Sequence, residues 1–145
     1  MLPLATIMLL SLALGSVAKE LGTGIYIAGL IGDSVAVWLL PFIVFVTAGV
    51  IAFSVGTSWG TFSIMLPIAI PVAAAMGAEP ALFVAAVLSG GIFGDHASPI
   101  SDTTIVSSLA SGTEHIDHVK TQMPYAVSAG AISAIGFILL GIMIL

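Results

Sequence analysis

The segment Gly94–Thr104, with the sequence GDHASPISDTT, places acidic, imidazole and hydroxyl side chains between two apolar stretches. It contains two aspartates, Asp95 and Asp102, and His96 follows the first of them. A carboxylate can hold either a proton or a cation, and histidine readily exchanges protons near neutral pH. Carboxylate, hydroxyl and carbonyl oxygens are the ligands that hard cations take. The segment therefore predicts a site for a small cation such as sodium, for protons, or for both.

A proline and four hydroxyl side chains strengthen this interpretation. Pro99 has no N–H and clashes with the carbonyl four residues back, so a helix through the segment should break near Asp95–Ser98 and free carbonyl oxygens. Discontinuous transporter helices bind their coupling ions in this way. The hydroxyls belong to Ser98, Ser101, Thr103 and Thr104. We expect Asp95 and Asp102 to be the sodium ligands and also to exchange the protons.

Two environments fit this segment. A charged aspartate near the centre of a membrane helix costs roughly 2.5–3.5 kcal/mol, so two of them oppose insertion unless they face a wet cavity or bind a cation. This consideration favours a broken helix that lines a cavity. In the alternative, the segment is an aqueous loop between two shorter helices, since Ala81–Phe93 is below the usual spanning length.

The segment Gly56–Thr61, with the sequence GTSWGT, is a second interruption between apolar stretches. Its hydroxyls belong to Thr57, Ser58 and Thr61. The segment has no charge, and we expect Pro67 and Pro71 to shorten the helix that follows it. These features favour a re-entrant hairpin whose tip lies at membrane depth and lines a protein cavity. The alternative is a plain surface turn in which Trp59 is an interfacial anchor.

The composition indicates what kind of elements must position these side chains. The chain has 145 residues, of which 59% are hydrophobic and 6% charged, and its formal net charge is −5. An ordinary soluble domain has about 25% charged residues. Too few polar residues are present to cover a globule in water, which excludes a soluble enzyme, a disordered segment and a nucleic-acid binder. The sequence therefore predicts an all-α integral membrane protein.

Other functional classes are also excluded. The chain has no cysteine, so it has no disulfide framework and no thiolate metal site. It lacks the zinc-ligand patterns of metallohydrolases, and we expect no enzymatic activity. No cofactor is expected beyond the transported ions. Membrane lipid is expected to surround the chain.

Apolar blocks predict a single transmembrane domain over residues 1–145. Its spans are expected at 1–18, 35–55, 62–78, 81–110 with a break at 94–104, and 121–145. Residues 1–18 are predicted to be a membrane helix rather than a signal peptide, because the first positive charge, Lys19, follows the apolar run. Lys19 and Lys120 are too few to predict the orientation.

Shorter features complete the prediction. Ile25–Ile31 is too short to span and is expected to be an interfacial helix, with Asp33 as a cap near its end. A capping-box pattern predicts a short surface helix over Glu114–Lys120. His115 and His118 are three residues apart on that helix and could ligate a metal, but a solvated face is the favoured interpretation.

Several stretches closely resemble the NhaC family of sodium/proton antiporters. They are GTSWGTFSIMLPIAIPVAAAMG (56–77), GGIFGDHASPISDTTIVSS (90–108) and HIDHVKTQMPYA (115–126), and LGSVAKELGTG (14–24) also fits. The resemblance covers nearly the whole chain, and its GDH-x-SPISDTT pattern is specific. Family members often have cysteine where this chain has Ala97, which we regard as a harmless departure.

The resemblance implies an architecture and a site. Family members have two related halves and several hundred residues, so this chain is expected to be the C-terminal half, one unit of an inverted repeat. The implied elements are a re-entrant helical hairpin, a discontinuous transmembrane helix and a final span. The hairpin tip and the unwound segment together would form half of an ion and substrate site. Its residues would be Thr57, Ser58, Thr61, Asp95, His96, Ser98, Ser101, Asp102, Thr103 and Thr104.

The implied function is secondary active transport that exchanges sodium ions for protons across a bacterial plasma membrane. The expected partner is an N-terminal half of the transporter or a second copy of the chain. One alternative is sodium-coupled exchange of small organic acids such as malate and lactate, although this chain has no arginine to hold an anion. The other is an inactive truncated membrane fragment.

Overall fold

The computed structural model describes residues 2–31 and 35–145, and within those residues every regular element is a helix. The α-helices are α1 (Leu2–Glu20), α2 (Thr23–Ile31), α3 (Leu40–Val55), α4 (Ser58–Ala75), α5 (Pro80–Ala97), α6 (Asp102–Ala110) and α7 (His115–Ile144). A 3₁₀ turn at Val37–Leu39 leads into α3. The all-α prediction is confirmed for the described residues, while Asp33, the expected cap, lies outside them.

Helices long and apolar enough to cross a membrane make up most of the described structure. They are Val37–Val55, Ser58–Ala75, Pro80–Ala97 and His115–Ile144. Half of the apolar stretch in Pro80–Ala97 is buried inside the chain, against 17% of the apolar stretch in His115–Ile144. Helix α5 is therefore the central element, and α7 presents most of its surface outward, as expected of a multi-pass membrane protein.

A glycine seam joins α3 to α5 at close range. A Cβ built at Gly94 would overlap the backbone carbonyl of Gly49, and one built at Gly90 would overlap the carbonyl of Phe45. Both glycines lie on α5 one turn apart, so the two helix backbones approach along one stripe. Small residues permit this kind of packing in membranes, where van der Waals contact is a main source of helix association.

Aromatic rings extend this packing to α7. Phe45 is buried, and its ring centroid lies 5.8 Å from that of Phe93 on α5 and 5.3 Å from that of Phe137 on α7. The Phe93 ring also covers Gly130, where a Cβ would overlap it. Three helices are thus held together by stacked rings and the glycine that accommodates them.

Helix α4 continues through both of its prolines, so the prediction that Pro67 and Pro71 shorten it is wrong. Packing against α1 and α2 explains why the helix persists. Pro67 cannot donate to the carbonyl of Ser63, and Gly15 of α1 packs against that carbonyl and the proline ring. Gly24 of α2 packs against the Pro71 ring and the carbonyl of Ile68. These contacts stabilise a helix that its local sequence alone disfavours.

The interruption within 94–104 is shorter than the sequence predicts. Helix α5 ends at Ala97 and α6 begins at Asp102, so only residues 98–101 are non-helical. Ser98 has an extended backbone with ψ 128° because a residue before proline is pushed out of the helical region. Ser101 restarts the helix as the N-cap of α6, and its side chain accepts a hydrogen bond from Thr104 N. We call residues 98–101 the break.

Helix α7 is continuous from His115 to Ile144, so the prediction of a separate short surface helix over Glu114–Lys120 is wrong. Glu114 is the N-cap, and its side chain accepts a hydrogen bond from Asp117 N at 3.2 Å. Once nucleated, a helix gains one hydrogen bond for each residue added. The apolar sequence that follows therefore extends the first turn into a long span.

The glycine seam gives a direct test of the α3–α5 packing. The change Gly94→Ala should destabilise the protein by about 1–3 kcal/mol, because the added methyl group meets a backbone carbonyl that has no alternative rotamer. Thermal unfolding in detergent micelles, followed by far-UV circular dichroism, measures the loss. Gly136→Ala in α7 is the matched control, since nothing lies within 4 Å of its added Cβ. Equal stability of the two variants would contradict the close approach.

Candidate functional site

Asp95 is the buried acidic centre of the described structure. It lies in the last turn of α5, and only 2% of its surface is exposed. Ser101 Oγ donates to its Oδ1 at 2.6 Å, and Thr103 Oγ1 donates to its Oδ2 at 3.3 Å. Both donors come from the break or from the first turn of α6. The carboxylate therefore joins the end of one helix to the start of the next.

The hydrogen bonds around Asp95 suit both states of the acid. Each hydroxyl has one proton to donate. When Ser101 and Thr103 both donate to the carboxylate, its two oxygens are satisfied in the ionised state. Ser101 Oγ and Thr103 Oγ1 also lie 2.8 Å apart. When a proton sits on Oδ2, it can be donated to Thr103, which then donates to Ser101, which donates to Oδ1. The same three side chains thus serve the ionised and the protonated acid.

Ser98 attaches the break to the end of α3. Its side chain is 1% exposed, and its Oγ donates to the carbonyl of Phe53 at 2.7 Å. Carbonyls in the last turn of a helix lack helical partners, so this hydroxyl replaces a missing hydrogen bond. Ile100 N donates back to Ser98 Oγ at 3.3 Å. The Ser98 hydroxyl therefore ties the break to α3 and does not donate to the Asp95 carboxylate.

The two interruptions singled out in the sequence meet in the structure. Gly56 ends α3 with φ 73°, and a Cβ there would lie 2.7 Å from the carbonyl oxygen of Ile100 in the break. Asp102 N donates to the carbonyl of Gly56 at 3.4 Å. Only glycine combines this left-handed backbone with so close an approach. The α3–α4 connection and the break are therefore neighbours.

The hydroxyls predicted for the α3–α4 connection are near the break but do not bond to Asp95. Thr61 is buried, and its Oγ1 donates to the carbonyl of Thr57 within α4. Ser58 is buried at the start of α4, and Thr57 is half-buried and makes no side-chain cap. Within the described residues, the donors to the Asp95 carboxylate are Ser101 and Thr103 instead.

His96 and Asp102 also lie outside the Asp95 hydrogen bonds. Both side chains are exposed. His96 Nδ1 donates to the carbonyl of Ile92 at 2.9 Å, along its own helix. Asp102 is the first residue of α6, where a negative charge is stabilised by the helix dipole. The two carboxylates expected to act as a pair thus differ in surroundings, because Asp95 is enclosed and Asp102 is open.

Thr104 carries a buried hydroxyl that has no hydrogen-bond partner in the described residues. The residue is 2% exposed, and its Oγ1 is the one buried side-chain oxygen or nitrogen in the described residues without a hydrogen-bond partner. A buried hydroxyl without a partner is unfavourable. Thr104 is the third residue of α6, and it lines the same cavity as Thr103.

A cavity of about 820 Å³ lies between α5, α6 and α7. Thr103 and Thr104 line it beside His96, and Gln122 and Tyr125 of α7 form part of the opposite wall. Because Thr103 also contacts Asp95, the cavity leads to the buried carboxylate through a hydroxyl. Neither Lys nor Arg is among the residues that line it.

Side chains of α7 hold the break, a contact that the sequence did not predict. His115, His118 and Gln122 share one face of α7 at spacings of three and four residues. His115 Nε2 donates to the Pro99 carbonyl at 2.7 Å, and Gln122 Nε2 donates to the carbonyl of His96 at 2.8 Å. His118 Nε2 lies 3.2 Å from Ser107 Oγ. The predicted solvated face is therefore wrong for these histidines, which are partly buried against α6 and the break. The helical spacing of these residues was the one sequence feature that placed them on a shared face.

The oxygen atoms around Asp95 differ in kind from a cluster of metal-ligating side chains. The described residues contain no group of three or more His, Cys, Asp or Glu side chains that would hold a metal ion. Oxygen atoms from one carboxylate and several hydroxyls lie together instead. Such a set can bind a weakly held ion or a proton and release it again.

The sequence matches a known family over nearly its whole length. The model of the Na⁺/H⁺ antiporter family matches residues 1–142. An uncharacterized protein of Haemophilus influenzae is 45% identical over 88% of this chain and 25% of its own length. The malate-2H⁺/Na⁺-lactate antiporter of Bacillus subtilis is 34% identical over 91% of this chain and 30% of its own length.

A third relative has the name that the sequence resemblance suggested. The Na⁺/H⁺ antiporter NhaC of Alkalihalophilus pseudofirmus is 28% identical over 81% of this chain and 30% of its own length. The chain thus spans between 25% and 30% of these three relatives. No solved structure matches this chain. The predicted family is confirmed by the family match and by these relatives.

The hydrogen bond from Ser98 to α3 can be tested by removing one hydroxyl. Ser98→Ala should destabilise the protein by about 1–3 kcal/mol, because the Phe53 carbonyl at the end of α3 loses the buried hydroxyl that donates to it. The midpoint of unfolding by SDS in mixed micelles measures the change. Ser128→Ala is the control, because that exposed hydroxyl bonds only to its own helix at Pro124. A Ser98 variant as stable as this control would show that the bond contributes nothing.

Proposed function

The chain belongs to the Na⁺/H⁺ antiporter family, and we propose that it forms part of a secondary transporter that exchanges Na⁺ for H⁺ across the plasma membrane. The observation that carries the proposal is the buried Asp95 carboxylate, which accepts hydrogen bonds from Ser101 and Thr103. Asp95 would hold a proton in one half of the cycle and take part in binding Na⁺ in the other.

Competition at Asp95 accounts for obligatory exchange. A protonated Asp95 is neutral and uses both flanking hydroxyls in a closed set of hydrogen bonds. When the proton leaves, the carboxylate attracts a cation, and the hydroxyl oxygens of Ser101 and Thr103 turn their lone pairs toward it. One site that holds either a proton or Na⁺, but not both, moves the two ions in opposite directions when it alternates between the faces of the membrane.

Further oxygen atoms are available to replace the water around Na⁺. The unpartnered Thr104 Oγ1 is the first, because a cation would satisfy an oxygen that has no partner in the described residues. Thr57, Ser58 and Thr61 lie on the neighbouring connection, which contacts the break through Gly56. Ser98 and the break carbonyls complete the proposed set, and His96 lines the cavity that leads to it.

Asp102 has a different proposed role from that of Asp95. Its side chain is exposed at the start of α6, close to the break but outside the Asp95 hydrogen bonds. An exposed carboxylate near the site attracts cations and raises their local concentration. We assign Asp102 to the entrance of the site, where it meets Na⁺ before Asp95 does.

The same contacts support the proposed architecture. Helices α3 and α4 would form a re-entrant hairpin, and α5 and α6 would form one discontinuous transmembrane helix. A non-helical backbone is tolerated at membrane depth only where it is buried in protein or lines a water-filled cavity. The break and the α3–α4 connection contact each other at Gly56 and Ile100, which is the arrangement such elements need.

Sodium-coupled exchange of a small organic acid is the second candidate. A cavity of about 820 Å³ falls within the usual range of small-molecule sites, and one relative carries the name of a malate-2H⁺/Na⁺-lactate antiporter. Side chains of His118 and Gln122 in the cavity wall can donate hydrogen bonds to a carboxylate. Because no Lys or Arg lines the cavity, Na⁺/H⁺ exchange is the function that the geometry supports better.

A flux assay tests the exchange. The complete gene product that carries this chain is reconstituted in liposomes with an internal pH dye, and Na⁺ is added outside. Asp95→Asn should reduce the Na⁺-dependent pH change to the level of empty liposomes, because an amide neither binds a proton nor balances a cation. Asp117→Asn is the matched control, since Asp117 is exposed and pairs only with Lys120 on the surface of α7.

The outcomes of this assay separate the candidates. A pH change that persists in Asp95→Asn would overturn the role of Asp95. A pH change in the parent protein only when malate or lactate is present would favour the organic-acid exchanger. No response under either condition would favour an inactive membrane protein.

Asp102→Asn tests the entrance role in the same liposomes. Since an exposed charge contributes about 0.2–1 kcal/mol, the Na⁺ concentration for half-maximal rate should rise less than about fivefold, and the maximal rate should be retained. A loss of the maximal rate as complete as that in Asp95→Asn would show instead that both carboxylates exchange ions.

A further inference from the structure

We infer that His115 is a positioning residue of the ion site: its imidazole holds the Pro99 carbonyl and thereby fixes the break that presents Ser101 to Asp95. The inference rests on the proposed function for its effect on transport. The geometry itself does not depend on that proposal. His115 lies on α7, 16 residues after Pro99, so a separate helix sets the shape of the break.

The contact between His115 and the break has a defined direction. His115 Nε2 lies 2.7 Å from the Pro99 carbonyl oxygen. A carbonyl can only accept, so Nε2 carries the proton. The other ring nitrogen, Nδ1, lies 3.2 Å from Ser108 Oγ on α6. One imidazole thus spans the break and α6 from a position on α7, and it is bonded at both nitrogens.

The Pro99 carbonyl determines where Ser101 points. The backbone of the break is fixed at Ser98 by Phe53 and at Ser101 by the N-cap of α6. Between them, the Pro99 carbonyl is oriented by His115. If this peptide rotates, Ser101 Oγ moves with it. Because Ser101 Oγ donates to Asp95 Oδ1 at 2.6 Å, the rotation weakens that hydrogen bond. Loss of the imidazole would therefore alter the hydrogen bonds of the Asp95 carboxylate, although His115 does not contact Asp95.

The rest of α7 is held in place without His115. Phe137 stacks on Phe45, Gly130 lies under the ring of Phe93, and a Cβ at Gly141 would overlap the backbone carbonyl of Trp38. Gln122 also bonds to the carbonyl of His96 at the end of α5. A change at His115 should therefore leave α7 docked and alter the break locally.

Three variants separate the hydrogen bond from simple packing. His115→Gln places an amide donor near the position of Nε2, His115→Asn has a donor too short to reach, and Thr121→Ala is a control on α7 whose hydroxyl bonds only within its helix. In the complete gene product, His115→Asn should raise the Na⁺ concentration for half-maximal rate about tenfold. His115→Gln should stay within about twofold of the parent protein, and Thr121→Ala should be unchanged.

A second readout does not need transport. Hydrogen–deuterium exchange of the peptide that covers residues 98–104 reports the order of the break in detergent. His115→Asn should speed its exchange about tenfold, and His115→Gln should not, because one hydrogen bond is lost in the first and kept in the second.

The two readouts distinguish failure of the inference from failure of the proposed function. Equal exchange in both His115 variants, or equal loss of Na⁺ affinity in both, would overturn the positioning role of the Nε2 donor. If the parent protein moves no protons with Na⁺ while the exchange difference persists, the proposed function fails and the role of His115 in shaping the break stands.

Discussion

The structure depends on a carboxylate that is kept out of water. A buried acid is unfavourable unless its oxygens are hydrogen-bonded, and Asp95 obtains its partners from the next helix rather than from its own. This requires the chain to stop being helical after Ala97 and to restart at Asp102. Pro99 stops the helix by its covalent structure, and Ser101 restarts it as an N-cap that also donates to Asp95. One serine therefore satisfies a helix end and the buried acid together.

The close packing of α3 on α5 keeps this arrangement enclosed. Gly94 immediately precedes Asp95 and lies against the backbone of α3, so little space is left for water on that side of the carboxylate. Ser98 and Gly56 fasten the break to the end of α3. His115 fastens it from α7. The break is thus non-helical but ordered, because hydrogen bonds and close contacts fix its backbone to α3 on one side and to α7 on the other.

The sequence predicted what covalent chemistry dictates locally and missed what depends on tertiary contacts. Composition gave the all-α membrane class, and the missing N–H of Pro99 predicted an interruption in the right segment. Pro67 and Pro71 were misjudged because Gly15 and Gly24, about fifty residues away in sequence, stabilise α4 around them. His115 was misjudged for the same reason, since its acceptor is a carbonyl on another element. The unequal burial of Asp95 and Asp102 also had no local signal, because both aspartates lie in the same polar segment.

That unequal burial bears on how charge would be balanced in the proposed exchange. An acid that holds one proton or one Na⁺ carries the same net charge in either loaded state, so a cycle at Asp95 alone moves no net charge across the membrane. A second acid that also took up and released protons would break this equality. Asp102 is open at the surface of the described chain and shares no hydrogen bond with Asp95. Under the proposed function, a step at the buried carboxylate alone would be electroneutral, and Asp102 would act on the supply of Na⁺ rather than on the charge that moves with it.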